Sequence, residues 1–134
     1  MTHNNDEIRI EKVWGTDGRL YELIAPPFVM NPEVIRLNGG YPFKNTEDHL
    51  WYISVKGKNM VTGFISIVND HLCNDFTWQD KDLLRILIER ALMDVEKGTP
   101  VTFVADNSDR PLLEEMGFSV DKEWTKYFKM AKII

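Results

Sequence analysis

The chain has 134 residues, and its 16 basic and 21 acidic side chains give a formal charge of −5 without a basic stripe, which argues against binding to nucleic-acid phosphates. The single cysteine, Cys73, excludes a disulfide framework and a cysteine-rich zinc site. No stretch is apolar enough to span a membrane, so we expect no membrane partner. The length indicates a single domain over residues 1–134, which we expect to be cytoplasmic and to bind neither a metal nor nucleic acid.

Apolar spacing predicts a strand and two short helices at the start of the chain. Ile8, Ile10 and Val13, with charged residues between them, predict a first strand that ends near Gly15. Asp17 is placed to cap a first helix, which Pro26-Pro27 should end. Asn31 is placed to cap a second helix with proline in its first position, and Gly39-Gly40 should end it.

A three-stranded meander follows an exposed loop. Residues 41–48 are polar and rich in turn formers, which predicts the loop. Runs of aromatic and β-branched residues then predict three strands, and the segments between them predict tight turns. The strands are 50–55, 60–68 and 72–77, and the turns are 56–59 and 69–70.

The strongest helical pattern covers residues 81–97. Leu84, Leu87 and Ile88 continue an apolar stripe at spacings of three and four, so this helix should pack against the sheet. Thr77 and Asp80 are spaced like a capping box, and Gly98 should end the helix. The expected core is Ile53, Phe64, Ile65, Ile67, Leu84, Leu87, Ile88, Ala91, Val101, Phe103, Leu112 and Phe118.

The last third of the chain predicts a strand, a polar turn, a short helix and two more strands. Residues 101–105 form the strand, and Asp106-Asn107 form the turn. The helix that follows should end at Gly117 in the left-handed conformation, after which Phe118 starts an extended segment. Residues 124–130 alternate and predict the final strand.

Residues 101–118 resemble the late strand–helix unit of the GNAT acyl-CoA N-acyltransferases, whose helix ends in leucine or methionine followed by Gly-Phe. The order of predicted elements also matches that fold over nearly the whole chain. The resemblance implies an α/β fold with a mixed, mainly antiparallel twisted sheet and helices on both faces. Strands 72–77 and 101–105 should be parallel neighbours, joined by the long helix in a right-handed crossover, with a cleft between their carboxyl ends.

In the family resembled here, acyl-CoA lies in that cleft and its pyrophosphate sits at the amino end of the long helix, where unpaired N–H groups and the helix dipole favour an anion. The family turn reads Gln/Arg-x-x-Gly-x-Gly/Ala, and only Gln79 matches it within residues 79–84. The resemblance implies acetyl-CoA as co-substrate and an amine as acceptor. The cofactor-binding residues it implies are Phe76, Thr77, Trp78, Gln79, Lys81, Asp82 and Asn107.

Two acidic side chains stand where the pyrophosphate would bind. Asp80 or Asp82 would repel it, because two like unit charges 4 Å apart cost roughly 4 kcal/mol at an effective dielectric constant of about 20. Acidic residues in a first turn also simply stabilise the helix. Both interpretations remain open from the sequence.

The catalytic groups do not follow the family pattern. The resembled enzymes commonly carry an acid, a tyrosine, in the late helix, where Leu113 stands here. Tyr127 on the last strand and His71 at the start of the third meander strand are the candidate catalytic residues, with Tyr52 as a further tyrosine. All three also fit ordinary structural roles, as strand aromatics or a turn histidine.

Three functions fit this sequence. The first is an N-acyltransferase that moves an acetyl group from acetyl-CoA to an amine of unknown identity. The alternative is a catalytically inactive GNAT-like scaffold that binds a ligand or a protein partner. A third is a small subunit whose edge strand forms a homodimer. Binding of acyl-CoA distinguishes the first from the other two.

Overall fold

The computed structural model describes residues 7–38, 43–124 and 127–134, without the side chains of Pro26 and Pro27. Its strands are β1 (Ile8–Trp14), β2 (Leu50–Lys56), β3 (Met60–Val68), β4 (His71–Phe76), β5 (Pro100–Asp106), β6 (Ser119–Glu123) and β7 (Tyr127–Ile133). Its α-helices are α1 (Gly18–Ile24), α2 (Pro32–Leu37), α3 (Lys81–Met93) and α4 (Arg110–Glu115). These strands form one sheet in the order β1-β2-β3-β4-β5-β7-β6, and within the described residues only β4 and β5 pair in parallel.

Helices cover both faces of this sheet. On β2, Tyr52 packs in the core cluster that contains Leu87 of α3, whereas Trp51 and Ile53 pack in the cluster that contains Leu23 of α1. Since successive strand residues point to opposite faces, the continuous burial of β2 requires cover on both sides. The predicted mixed, mainly antiparallel α/β fold is confirmed.

The first two helices begin where the sequence predicts. The Asp17 carboxylate accepts a hydrogen bond from the Arg19 N–H at 2.9 Å, and the Asn31 side chain accepts one from the Glu33 N–H at 3.0 Å. Each bond satisfies an N–H that has no partner inside its helix. Both predicted caps are confirmed.

The first α-helix ends at Ile24, just before Pro26-Pro27, so its predicted end is confirmed. Helical backbone continues past Ile24 as a π-helical turn over Ala25–Val29, closed by the Met30 N–H on the Ala25 carbonyl at 2.9 Å. Two consecutive prolines lack the N–H groups that a regular α-helical turn needs, and the wider turn accommodates them. The predicted end of the second helix at Gly39-Gly40 lies outside the described residues.

The long helix also ends earlier than predicted, at Met93 instead of residue 97. Asp94 follows it and accepts hydrogen bonds from the Tyr52 hydroxyl at 2.8 Å and from Arg90 at 3.0 Å. These contacts tie the chain to the sheet at this point. Gly98, with φ of +90°, therefore belongs to the turn before β5 and does not end the helix.

The predicted core is buried except at two positions, Ile67 and Leu112, which are only partly buried. Leu113 is fully buried in place of Leu112, because the short α4 turns that side chain toward the sheet. The predicted exposed loop is also partly wrong. Phe43 is buried against Phe64, with ring centroids 5.1 Å apart.

The final strand is shifted relative to the prediction of residues 124–130. Trp124 precedes it, residues 125–126 lie outside the described part of the chain, and β7 continues to Ile133. Gly117 takes the expected left-handed conformation, with φ of +94°. Strands β1 and β6 form the two edges of the sheet, where a second copy of the chain could pair. The homodimer stays a prediction.

Candidate functional site

Strands β4 and β5 pair only at their starts and then separate. His71 lies opposite Thr102 and Leu72 opposite Phe103, and no further pair joins the two strands among the described residues. Beyond these pairs a cleft of about 910 Å³ opens between their carboxyl ends. The predicted parallel pair and its cleft are confirmed.

An extra residue in β4 shapes the wall of this cleft. Phe64 of β3 pairs with Phe76, whereas Ser66 pairs with Cys73, so one residue of β3 lies opposite two residues of β4, Asn74 and Asp75. Asn74 within this bulge has φ of +56°. Since one extra residue reverses which face a strand presents, Leu72 and Phe76 lie in opposite core clusters although they are four residues apart.

The bulge is fixed by the side chain of Asn74. Its carboxamide oxygen accepts a hydrogen bond from the Lys44 N–H at 2.9 Å, and its NH₂ group donates to the Lys44 carbonyl at 2.8 Å. The same NH₂ group donates to the Ser66 hydroxyl at 2.7 Å. These bonds hold β4 to its neighbouring loop and strand, and thereby set the position of Asp75.

Asp75 is a carboxyl group in the wall of the cleft. It is partly buried, and this burial is the main cause that raises its pKa from 3.8 to about 7. The charges of Asp109 and Asp106 raise the pKa further, and Lys81 opposes them. Asp75 therefore exchanges its proton near neutral pH, as a general acid or base must.

The turn before α3 is built from unusual backbone. Trp78 and Gln79 both have positive φ, of +54° and +66°, in the region that favours glycine. The Trp78 ring packs edge-on against Phe76, with centroids 4.7 Å apart. Strained conformations of this kind concentrate at functional sites, and here they direct the chain from the cleft into the first turn of α3.

Asp80, not Thr77, caps α3, so the predicted capping box is wrong. The Asp80 carboxylate accepts a hydrogen bond from the Leu83 N–H at 3.0 Å. Thr77 is buried instead, and its carbonyl accepts the Asp80 N–H at 3.0 Å. The helix nevertheless begins at Lys81, as predicted, because Trp78 and Gln79 with positive φ form a turn between Thr77 and the Asp80 cap.

We expect Asp80→Ala to lower the free energy of unfolding by about 0.5–2 kcal/mol, because a helix N–H then loses its partner. Glu89→Ala, an exposed carboxylate in the middle of the same helix, should change it by less than about 0.5 kcal/mol. Denaturant unfolding of both variants measures the difference. Equal effects would contradict the capping role of Asp80.

The Lys81 side chain bridges one end of the cleft. Lys81, the first residue of α3, contacts the carboxylate of the buried Asp109 and the Ser108 hydroxyl, the latter at 3.1 Å. Ser108 and Asp109 belong to the 3₁₀ turn Asn107–Asp109, which follows β5. This contact links the segments that follow the two separated strands.

The comparisons with known proteins identify the fold. No protein-family profile and no curated protein matches the chain. ElaA of Escherichia coli has a similar structure, at 15% identity and a TM-score of 0.66, covering 94% of this chain and 99% of that one. An acyl-CoA N-acyltransferase from Pseudomonas aeruginosa is similar at 14% identity and a TM-score of 0.66, with the same coverage. This chain has the GNAT fold.

A third similar structure has a ligand. It is the N-acetyltransferase PseH of Campylobacter jejuni in complex with acetyl coenzyme A. The identity is 11% and the TM-score 0.53, and the alignment covers 95% of this chain and 99% of that one. At these identities the likeness establishes the GNAT fold.

Six of the predicted site residues line the cleft of this GNAT fold. They are Phe76, Thr77, Trp78, Gln79, Lys81 and Tyr127. Five come from the end of β4, the turn and the start of α3, as the resemblance implied. Tyr127 comes from the start of β7, where it pairs with Asp106.

The other predicted residues do not line the cleft among the described residues. Asp82 is exposed on α3, and Asn107 begins the 3₁₀ turn. His71 lies at the paired start of β4, with its Nδ1 2.8 Å from the Thr102 hydroxyl. Tyr52 is buried, and its burial and its bond to Asp94 raise its pKa.

Sequence reasoning missed the two carboxyl groups that matter most for the electrostatics of the cleft. Asp75 and Asp109 lie in segments predicted as a strand and as the approach to a helix. The one available signal was the pair Asn74-Asp75 inside a strand pattern, because both residue types are rare in strands and typical of bulges.

The described residues contain no cluster of histidine, cysteine, aspartate and glutamate that could hold a metal ion. Within the same residues, no helix is long and apolar enough to cross a membrane.

Proposed function

We propose that the protein is an N-acetyltransferase that moves an acetyl group from acetyl-CoA to a primary amine. The observation that carries this proposal is Asp75, a carboxyl group with a pKa of about 7 in the cleft between the separated parallel strands. The GNAT fold, and the complex of the similar PseH with acetyl coenzyme A, support it.

The reaction needs a base because amines are protonated at neutral pH. An ammonium group has no lone pair with which to attack a thioester, and a carboxylate with a pKa near 7 accepts its proton efficiently. In the proposed reaction Asp75 takes that proton and the neutral nitrogen attacks the thioester carbonyl carbon. The carbon–sulfur bond then breaks, and the nitrogen gives its second proton to solvent. The departing thiolate takes a proton from Tyr127, the candidate donor in the same cleft, and Tyr127 regains one from solvent.

The residues at the start of α3 fit the anionic part of acetyl-CoA in one respect and oppose it in another. The amino end of this helix and the Lys81 ammonium group favour an anion. The Lys81 ammonium is already paired with Asp109, whose carboxylate lies where an anion would gain most. The competing carboxylate is thus Asp109, while Asp80 caps the helix and Asp82 is exposed.

We expect Asp109→Asn to strengthen acetyl-CoA binding about five- to thirty-fold, because it removes a negative charge and frees Lys81. Asp82→Asn removes one negative charge from an exposed position on α3 and should change affinity less than about three-fold. Isothermal titration at fixed ionic strength compares the two. Weaker binding by Asp109→Asn would show that its pair with Lys81 builds the site.

The proposal is tested by binding before turnover. Titration with acetyl-CoA and with desulfo-CoA measures cofactor binding independently of the acceptor. Release of free thiol from acetyl-CoA in the presence of a mixture of primary amines then measures transfer. If neither compound binds up to millimolar concentrations, the acetyltransferase proposal fails, and the ligand-binding scaffold replaces it.

A further inference from the structure

Large apolar side chains are exposed inside the cleft. Leu37, Val104 and Trp124 have exposed fractions of 48%, 41% and 44%. They come from α2, β5 and the segment after β6, which are far apart in sequence. Single exposed apolar residues are common on protein surfaces, but their convergence from three segments on one cavity is typical of a site for an apolar group.

Leu37, Val104 and Trp124 form an apolar wall of the cleft, in which the Trp124 ring is an apolar surface. The Lys122 ammonium group lies 5.0 Å from its centroid, so the ring already has a cation as a partner. Its neighbour Tyr127 adds a second ring to the same wall. A ligand in this part of the cleft therefore gains chiefly by burying apolar area.

The charged groups of the cleft select against an anionic acceptor. Asp75, Asp106 and Asp109 line it, and Lys81 is the single cation among the described lining residues. Asp109 already holds that cation. A carboxylate or phosphate beside the amino group of the acceptor would meet the negative charge of these aspartates, whereas an ammonium group would be attracted to it.

We propose, on the basis of the acetyltransferase function above, that the acceptor is a monoamine with an apolar or aromatic body and no carboxylate or phosphate group. Its amino group lies at Asp75, and its body covers Leu37, Val104 and Trp124. A polyamine fits less well, because its chain would place a second ammonium group, instead of an apolar body, against Leu37, Val104 and Trp124, where that group would lose water.

Three amines distinguish these possibilities: 2-phenylethylamine, phenylalanine, which adds a carboxylate, and spermidine, which replaces the ring with further ammonium groups. We expect kcat/KM for 2-phenylethylamine to exceed the other two by at least about ten-fold, as measured by thiol release from acetyl-CoA. Equal or higher values for phenylalanine or spermidine overturn the inference.

Binding without acetyl-CoA separates this inference from the proposed function. If saturation-transfer NMR detects 2-phenylethylamine bound and the other two not, but no amine releases thiol, the acceptor-site inference stands and the transferase proposal fails. If other amines release thiol and 2-phenylethylamine neither binds nor reacts, the transferase proposal stands and the inference fails. Absence of any amine binding also overturns the inference.

A matched pair of variants locates the apolar wall. Trp124→Ala should raise KM for 2-phenylethylamine about ten-fold while leaving KM for acetyl-CoA and kcat within about two-fold. Met93→Ala removes an exposed apolar side chain from α3, outside the cleft, and should change none of the three. An unchanged KM for 2-phenylethylamine in Trp124→Ala contradicts the placement of its ring.

Discussion

Asp75→Asn should lower the rate of acetyl transfer by about 10²–10⁴-fold, the range typical of a lost general base. The carboxamide has nearly the shape of the carboxyl group but cannot take a proton from the ammonium group of the acceptor. Thiol release from acetyl-CoA at saturating amine measures this loss. Acetyl-CoA binding should persist, since the substitution removes a negative charge from the cleft.

The pH dependence of the same variant tests the assignment of the base. In the natural protein kcat/KM should rise as Asp75 ionises around pH 7, where its carboxylate becomes able to accept a proton. Asp106, Asp109, Lys81 and Tyr127 also line the cleft. In Asp75→Asn the rise of kcat/KM around pH 7 should disappear. If the variant kept this rise, the base would be one of those neighbours.

The substitution should also stabilise the protein at high pH. The unfolded chain releases the Asp75 proton near pH 3.8 and the folded chain near pH 7, so stability falls as the pH rises between these values. Above pH 7 the folded protein carries the full cost of a partly buried carboxylate. Asp75→Asn should therefore gain about 2–4 kcal/mol in unfolding free energy at pH 8, and almost nothing at pH 4.

Glu89→Gln provides the control for both measurements, because it makes the same chemical change at an exposed position of α3. It should alter neither activity nor the pH dependence of stability beyond about 0.5 kcal/mol. A variant at position 75 that lost activity and stability together at pH 8 would indicate a structural role for the carboxylate. We expect Asp75→Asn to lose activity and gain stability, as is typical of a residue that serves function at the expense of stability.

The fold was predictable because local patterns encode it. The apolar stripe of α3, the aromatic and β-branched runs of β2 and β3, and the left-handed Gly117 each follow from residue type and spacing alone. The error at the end of α3 shows why element boundaries are harder to predict. The early end of α3 depends on the bonds of Asp94 to Tyr52, a strand residue more than forty positions away, and no local pattern reports such contacts.

The cleft was only partly predictable for a related reason. Its helix end could be placed from the resemblance, because it consists of one continuous segment, residues 76–81. Asp75 depends on a bulge that shifts the strand by one residue, and Trp124 and Leu37 reach the cleft only through the packing of distant elements. Residues brought together in this way become visible only when the sheet order is known.

Leu87→Ala should have the largest effect on stability, a loss of about 2–5 kcal/mol in the free energy of unfolding. Leu87 is fully buried in the core cluster between α3 and the sheet, where it packs with Tyr52, Ile65 and Leu72. Truncation removes its apolar area from the core and leaves a cavity that closely packed neighbours cannot fill. Denaturant unfolding measures the loss, and the slope of the unfolding free energy against denaturant concentration should stay unchanged.

Ile86→Ala is the matched control, because Ile86 is the adjacent residue of the same helix and half of its side chain is exposed. It should cost less than about 0.5 kcal/mol, since little apolar area leaves the core. The two residues differ by about 100° around the helix axis, so their difference reports which face of α3 meets the sheet. A loss below half a kilocalorie for Leu87→Ala, or equal losses for both, would mean that α3 packs by a different face. The start of α3, with Lys81 at the cleft, would then be oriented differently from the arrangement on which the acetyl-CoA site is proposed.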